Sequence, residues 1–111
     1  MKLLCSTVTT LIALFLSNTL LAASNPIIID VRSPQEFSTG HIQGALNMPH
    51  TQIGDLIKKQ TIEKDAAIIV YCRSGRRSGI AQETLQQLGF TSVTNGGGFK
   101  HMQEKYPVQA E

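Results

Sequence analysis

This sequence is short of cysteine and of net charge. It holds two cysteines in 111 residues and carries a formal charge of +2. So even a balance excludes the broad basic surface on which nucleic-acid binding depends. No stretch repeats and none is of low complexity, which excludes a repeat array and a long disordered linker. His50 and His101 have no partners at the spacing of a metal site. Gly96-Gly97-Gly98 lack the lysine and the serine or threonine of a phosphate-binding loop, and read instead as a turn.

What is present begins with an apolar N-terminus. Lys2 precedes a run from Leu3 to Ala23, and the small residues Ala22, Ala23 and Ser24 lead into Asn25-Pro26. This is the layout of a secretory signal peptide over residues 1–23, with cleavage near 22–24. An uncleaved anchor is the alternative, since about 20 apolar residues suffice to cross a bilayer. Cys5 leaves with a cleaved signal. The domain that remains, 24–111, is expected to bury one modest core. Without Lys2 it has nine basic and eight acidic side chains, and three of its four arginines lie within five residues of Cys72. Cys72 is then its only thiol, so it is buried, paired with a partner, or reactive.

Along this domain the hydrophobic period alternates. Pro26 to Val31 is a β-branched run typical of a strand buried on both faces. Ser33-Pro34-Gln35-Glu36 has the cap, the proline and the glutamate of a helix start, and Gly40 ends that helix. Ala45 to Pro49 is a short strand candidate, and Thr51 opens a helix bearing Ile53, Leu56 and Ile57. Ala67 to Tyr71 is the strongest strand. From Arg77 to Leu88 the positions Ile80, Ala81, Leu85 and Leu88 fall at helical spacing, closed by Gly89. Thr91 to Thr94 predicts a last strand and Phe99 to Tyr106 a last helix. The alternation predicts an α/β domain: a parallel sheet of about four to five strands with helices on both faces.

Cys72 thus falls at the carboxyl end of the central strand, where open α/β sheets bind ligands. Behind it come Arg73-Ser74-Gly75-Arg76-Arg77-Ser78. A glycine-containing loop turns backbone N–H groups toward one point, and the following helix adds its positive end. The arginines keep their charge at any working pH. Such surroundings lower a thiol from about 8.5 to roughly 3.5–7.5.

Two chemistries use a thiolate beside an anion cradle: phosphoryl transfer and sulfane-sulfur transfer. Cysteine phosphatases place five residues between nucleophile and arginine, which here would require arginine at the position of Ser78. Arg77 instead comes after four. The shorter loop makes a tighter pocket, suited to one sulfur atom. Tyr71, where such phosphatases carry histidine, points the same way.

The chain resembles a single-domain rhodanese, a thiosulfate sulfurtransferase. The resemblance rests on Asp30-Val31-Arg32 with Pro34, Glu36 and Phe37, on Gly40 to Pro49, on the loop Cys72 to Arg77, and on Asn95 to Gly98. Two departures stand out: the family's usual extra strand and helix before the first motif are missing, and Met102 stands where a tryptophan is usual. The second is expected to loosen packing near the site.

The resemblance implies that Cys72 attacks the outer sulfur of thiosulfate, releases sulfite and holds a persulfide, with no other cofactor. Cyanide or a thiol then removes the sulfur. It assigns the substrate to the loop residues Arg73, Ser74, Gly75, Arg76, Arg77 and Ser78, with Arg77 at the loop-closing position and Arg73 and Arg76 facing the sulfonate. Asp30, Arg32, His41 and Gly97 are expected to support the site structurally. The partners expected are a small anionic sulfur donor and a thiophilic acceptor, with no nucleic acid and no membrane once the signal is removed. A periplasmic monomer follows from the same reading. Two alternatives stay open: a persulfide carrier or thiol redox protein, and a non-catalytic rhodanese module used for binding.

Overall fold

The computed structural model describes residues 25–110. The expected signal segment and Cys5 lie outside them. The elements are β1 (Ile27–Asp30), α1 (Pro34–Ser38), β2 (His41–Ile42), β3 (Leu46–Asn47), α2 (Ile53–Ile57), β4 (Ile68–Cys72), α3 (Arg76–Gln87), β5 (Val93–Gly98), α4 (Phe99–Gln103) and β6 (Val108–Gln109). Four strands form a parallel sheet in the order β3-β1-β4-β5, and β2 pairs antiparallel with β6 in a small second sheet. The register sets Asp30 beside Tyr71 and Cys72 beside Gly98. This is the mixed α/β architecture that the alternating period predicts.

Local chemistry explains why the elements start and stop where they do. Ser33 Oγ accepts from the Glu36 amide at 3.2 Å, while the Ser33 amide donates to Glu36 Oε1 at 3.1 Å. This reciprocal cap satisfies two orphan donors of α1. At its far end α3 is closed by Gly89, whose φ of +99° suits the left-handed residue that follows a helix.

Two clusters form the core, one on each face of the sheet. Ile53 and Ile57 of α2 and Ala81 and Leu85 of α3 join Ile29, Val31 and Val70. On the other face Met102 of α4 joins Ile42, Ala45 and Tyr71, with Phe37 and Phe99 packed around them. Each large aliphatic side chain so buried contributes about 1.5–3 kcal/mol. Met102, standing where a tryptophan is usual, is 4 % exposed and belongs to the core, and with Ile69, Gly96, His101 and Tyr106 it lines a cavity of about 150 Å3.

Beyond shifts of one or two residues at other element ends and the unexpected short strands β2 and β6, three features differ from the sequence expectation. Helix α2 begins at Ile53, with Gln52 rather than Thr51 at the cap and no side-chain bond there. The Gln52 amide is already held by the Pro49 carbonyl at 2.8 Å, which tightens the entry by a turn. Helix α4 ends at Gln103 rather than Tyr106, because the chain then turns to deliver β6 to β2, and the Gln43 amide donates to the Pro107 carbonyl at 2.9 Å. The glycine triplet is the end of β5, not a free turn. Its glycines are required by close approach: a Cβ on Gly96 would lie 2.7 Å from Met102 Sδ, and one on Gly98 would lie 2.7 Å from the Arg73 carbonyl oxygen.

Candidate active site

Cys72 closes β4 and α3 opens only four residues later, so the loop between them has to turn sharply. Gly75 makes the turn as the helix cap at φ +103°, a conformation side chains disfavour. There its amide points back at the sulfur and donates to Cys72 Sγ at 3.0 Å. The hydroxyl of Ser78, in the first turn of α3, lies 3.5 Å from the same sulfur. Cys72 is only 1 % exposed. Burial pushes its thiol up, but hydrogen bonding from the Ser78 hydroxyl and from the amides of Ser78, Ser74 and Gly75 outweighs it, so the net shift is downward. The positive end of the twelve-residue α3 acts in the same direction.

The loop's arginines part company in the structure. Arg77 forms a two-pronged ion pair with Glu36, Nη1 to Oε1 at 2.8 Å and Nη2 to Oε2 at 3.1 Å. The Arg77 guanidinium, against a smaller opposing effect of burial and with help from Ser33, lowers the Glu36 carboxyl to about 2. Arg77 therefore fastens the loop to α1, and its charge is compensated. Arg73 and Arg76 are exposed and make no ion pair among the described residues. Arg73 borders a cleft of about 500 Å3 with Arg32, Glu36, Thr39, Phe99 and Lys100. Ser74 is exposed and Ser78 is buried.

Behind the loop lies a buried polar frame. The Asp30 carboxylate, fully buried, accepts from the Arg32 amide at 2.9 Å, from Arg32 Nη2 at 2.7 Å and from the Tyr71 hydroxyl at 2.7 Å. Arg32 in turn donates to the Gly40 carbonyl at 2.7 Å and lies over the Phe99 ring at 4.4 Å. Tyr71 accepts the Ile42 amide at 3.0 Å, which ties β2 to β4. Burial and the neighbouring Asp30 raise the Tyr71 hydroxyl, so it stays protonated and keeps donating. Asp30 and Arg32 thus join the end of β1 to Gly40 before β2 and to Tyr71 of β4. His41 is half-buried; it stacks on Phe37 with centroids 3.6 Å apart and its Nδ1 meets the Phe37 carbonyl at 2.9 Å. Its contacts are with the α1 turn. Gly97, at φ +84°, is brought against the loop: a Cβ on Gly75 would lie 3.5 Å from Gly97 Cα.

Three side chains at this site have roles that sequence reasoning missed. Glu36 reads as a capping residue but also neutralises Arg77. Tyr71 reads as a strand residue but anchors Asp30. Asn95 bonds both Ser78 and the Gly97 amide, the latter at 2.9 Å across two residues. An asparagine two positions before a turning glycine is a recognisable side-chain turn, and that signal was there to be read.

A buried, acidified thiol with amide donors around it, at the carboxyl edge of a parallel sheet, defines a protein built to hold an anionic sulfur. Residues 16–105 match the rhodanese-like domain family. The chain is 42 % identical over 72 residues to the thiosulfate sulfurtransferase PspE of Escherichia coli (strain K12), covering 65 % of this chain and 69 % of that protein. It is 33 % identical over 88 residues to the thiosulfate sulfurtransferase GlpE of Pseudomonas entomophila (strain L48), covering 78 % of this chain and 79 % of that one. Among solved structures, a rhodanese with anions from E. coli superposes with a TM-score of 0.72 at 36 % identity, over 78 % of this chain and all of that one. The chain belongs to the rhodanese-like domain family.

Proposed function

We propose that this protein is a thiosulfate sulfurtransferase in which Cys72 is the nucleophile. The Cys72 thiolate attacks the outer sulfur of thiosulfate, the S–S bond breaks, and sulfite leaves with the bonding pair. Cys72 then holds a persulfide, and a thiophilic acceptor such as cyanide or a thiol takes the outer sulfur and returns the thiolate. Splitting the transfer in two spares the direct reaction of donor with acceptor. The amides of Ser74, Gly75 and Ser78 stabilise the sulfur anion at each stage.

The observation that carries this reading is the Gly75 amide donating to Cys72 Sγ at 3.0 Å in a loop that reaches Arg77 after only four intervening residues. Arg73 and Arg76, with no carboxylate paired to them among the described residues, are the groups we assign to the sulfonate. The thiosulfate sulfurtransferases PspE and GlpE, to which the chain is similar, support the same donor. No helix among the described residues is long and apolar enough to cross a membrane. With the N-terminal signal reading, we place the domain in the periplasm as a monomer. Steady-state thiocyanate production from thiosulfate and cyanide tests the assignment. Wild-type turnover that Cys72→Ser abolishes is expected, and turnover that survives the substitution would remove Cys72 from the role.

A further inference from the structure

Ser78 has one hydroxyl proton and three acceptors around it. Asn95 Oδ1 lies at 2.7 Å, the Gly75 carbonyl at 3.0 Å and Cys72 Sγ at 3.5 Å. The carbonyl is already occupied, because it accepts from the Gly79 amide at 3.1 Å and from Asn95 Nδ2 at 3.2 Å. Asn95 cannot turn its amide around to become a donor to Ser78. Its Oδ1 accepts the Gly97 amide at 2.9 Å and its Nδ2 faces the Gly75 carbonyl, so reversing it would set N–H against N–H and oxygen against oxygen. Asn95 therefore presents an acceptor to Ser78 at the shortest of the three distances.

We propose that Asn95 is a positioning residue that holds the Ser78 hydroxyl proton while Cys72 is a neutral thiol and yields it when the sulfur carries charge. In the resting arrangement Cys72 S–H donates to Ser78 Oγ, and Ser78 O–H donates to Asn95 Oδ1. When the sulfur is a thiolate, the hydroxyl rotates about its C–O bond and donates to Cys72 Sγ. No proton changes owner in that rotation. The thiolate thus gains the Ser78 bond only by breaking the one to Asn95, and Asn95 opposes ionisation of Cys72 through Ser78. The proposal rests on the sulfur-transfer reading for its purpose, but its test needs no sulfur donor.

The other titratable and charged groups facing the site are common to every variant compared. They are Asp30 and Tyr71 on the strands, Arg32 after β1, Glu36 on α1, Arg73, Arg76 and Arg77 around the loop, and Lys100 and His101 on α4. Asn95 is exposed, so Asn95→Leu keeps its bulk, removes the acceptor and leaves the core alone. Full-length protein is reduced and alkylated with iodoacetamide across a pH series, and the rate is followed on the tryptic peptide Asp65–Arg73, which separates Cys72 from Cys5. Asn95→Leu is expected to lower the Cys72 midpoint by about half a pH unit and Ser78→Ala to raise it by about one, the size of one hydrogen bond gained or lost by the charged form. In the Ser78→Ala background Asn95→Leu is expected to change nothing. A midpoint unmoved or raised by Asn95→Leu, or the same shift with and without Ser78, would overturn the role of Asn95. Absent thiosulfate turnover with these midpoints as expected would instead sink the sulfurtransferase reading alone.

Discussion

Gly98 is where a single methyl group should reach the chemistry at only a moderate cost to the fold. It pairs with Cys72 in the sheet, and a Cβ built on it would lie 2.7 Å from the Arg73 carbonyl oxygen and 3.4 Å from Ser74 Cα. Comfortable non-bonded separations are about 3.5–4.0 Å, and the obstacle is backbone rather than a flexible side chain, so the loop would have to retreat by roughly half an ångström or more. That retreat draws on the Gly75 amide, whose 3.0 Å bond to Cys72 Sγ depends on the loop's position. A displacement of ~1 Å at a reacting group costs on the order of 100-fold, so Gly98→Ala should lower thiosulfate turnover by roughly 10- to 100-fold. Overpacking should cost about 1–3 kcal/mol of stability, read by urea unfolding. Two other glycines calibrate the result. Gly54→Ala meets only Thr84 Cγ2, at 3.5 Å within α2, and should keep activity while gaining about 0.5–1 kcal/mol. Gly44→Ala meets nothing within 4 Å but sits at φ +84°, and should cost about 1–2 kcal/mol while also keeping activity. Wild-type turnover in Gly98→Ala, or equal loss in Gly44→Ala, would refute the reasoning.

The buried frame and the Glu36 ion pair make further predictions. Asp30→Ala leaves the buried Arg32 guanidinium without its carboxylate and should destabilise by about 3–5 kcal/mol in chemical denaturation, a much larger loss than Glu36→Ala causes. Tyr71→Phe removes the acceptor of the Ile42 amide and a donor to Asp30 together, and should cost about 1–3 kcal/mol by the same measurement. The Glu36 carboxyl is lowered to about 2 in the folded protein, so its contribution is fully present above the ordinary carboxylate range and is lost as pH falls toward 2. Because both partners are partly exposed, that contribution should be at most about 1 kcal/mol. The stability difference between wild type and Glu36→Gln should shrink between neutral pH and acid; a difference that stays constant would contradict the ion pair.

The strands and helices were legible wherever the chain signals its own state. The β-branched run before Asp30, the cap at Ser33 and the glycine after α3 each act within a few residues. Cys72 and its loop were legible for the same reason, since the turn, the helix start and the arginines are consecutive. Strands β2 and β6 are two residues each and stabilise one another across the 65 residues between Ile42 and Val108, too short to show a period and too far apart to show a pattern. The pairs Arg77 with Glu36 and Tyr71 with Asp30 each span 41 residues. Nothing in the spacing marks them, because the parallel register brings Tyr71 to Asp30, and the first turn of α3 meets α1 to bring Arg77 to Glu36. Hence the arginines looked equivalent in the sequence, although one of the three is spoken for by a carboxylate.

The central step of the proposed function is the passage of a sulfur atom to Cys72. Reduced full-length protein is mixed with excess thiosulfate in the absence of any acceptor, and sulfite release and protein mass are read together. One sulfite per protein is expected, with a mass gain of one sulfur atom located on the peptide Asp65–Arg73 and removed by added cyanide as thiocyanate. No gain on that peptide, or the same gain and sulfite release in Cys72→Ser, would contradict it.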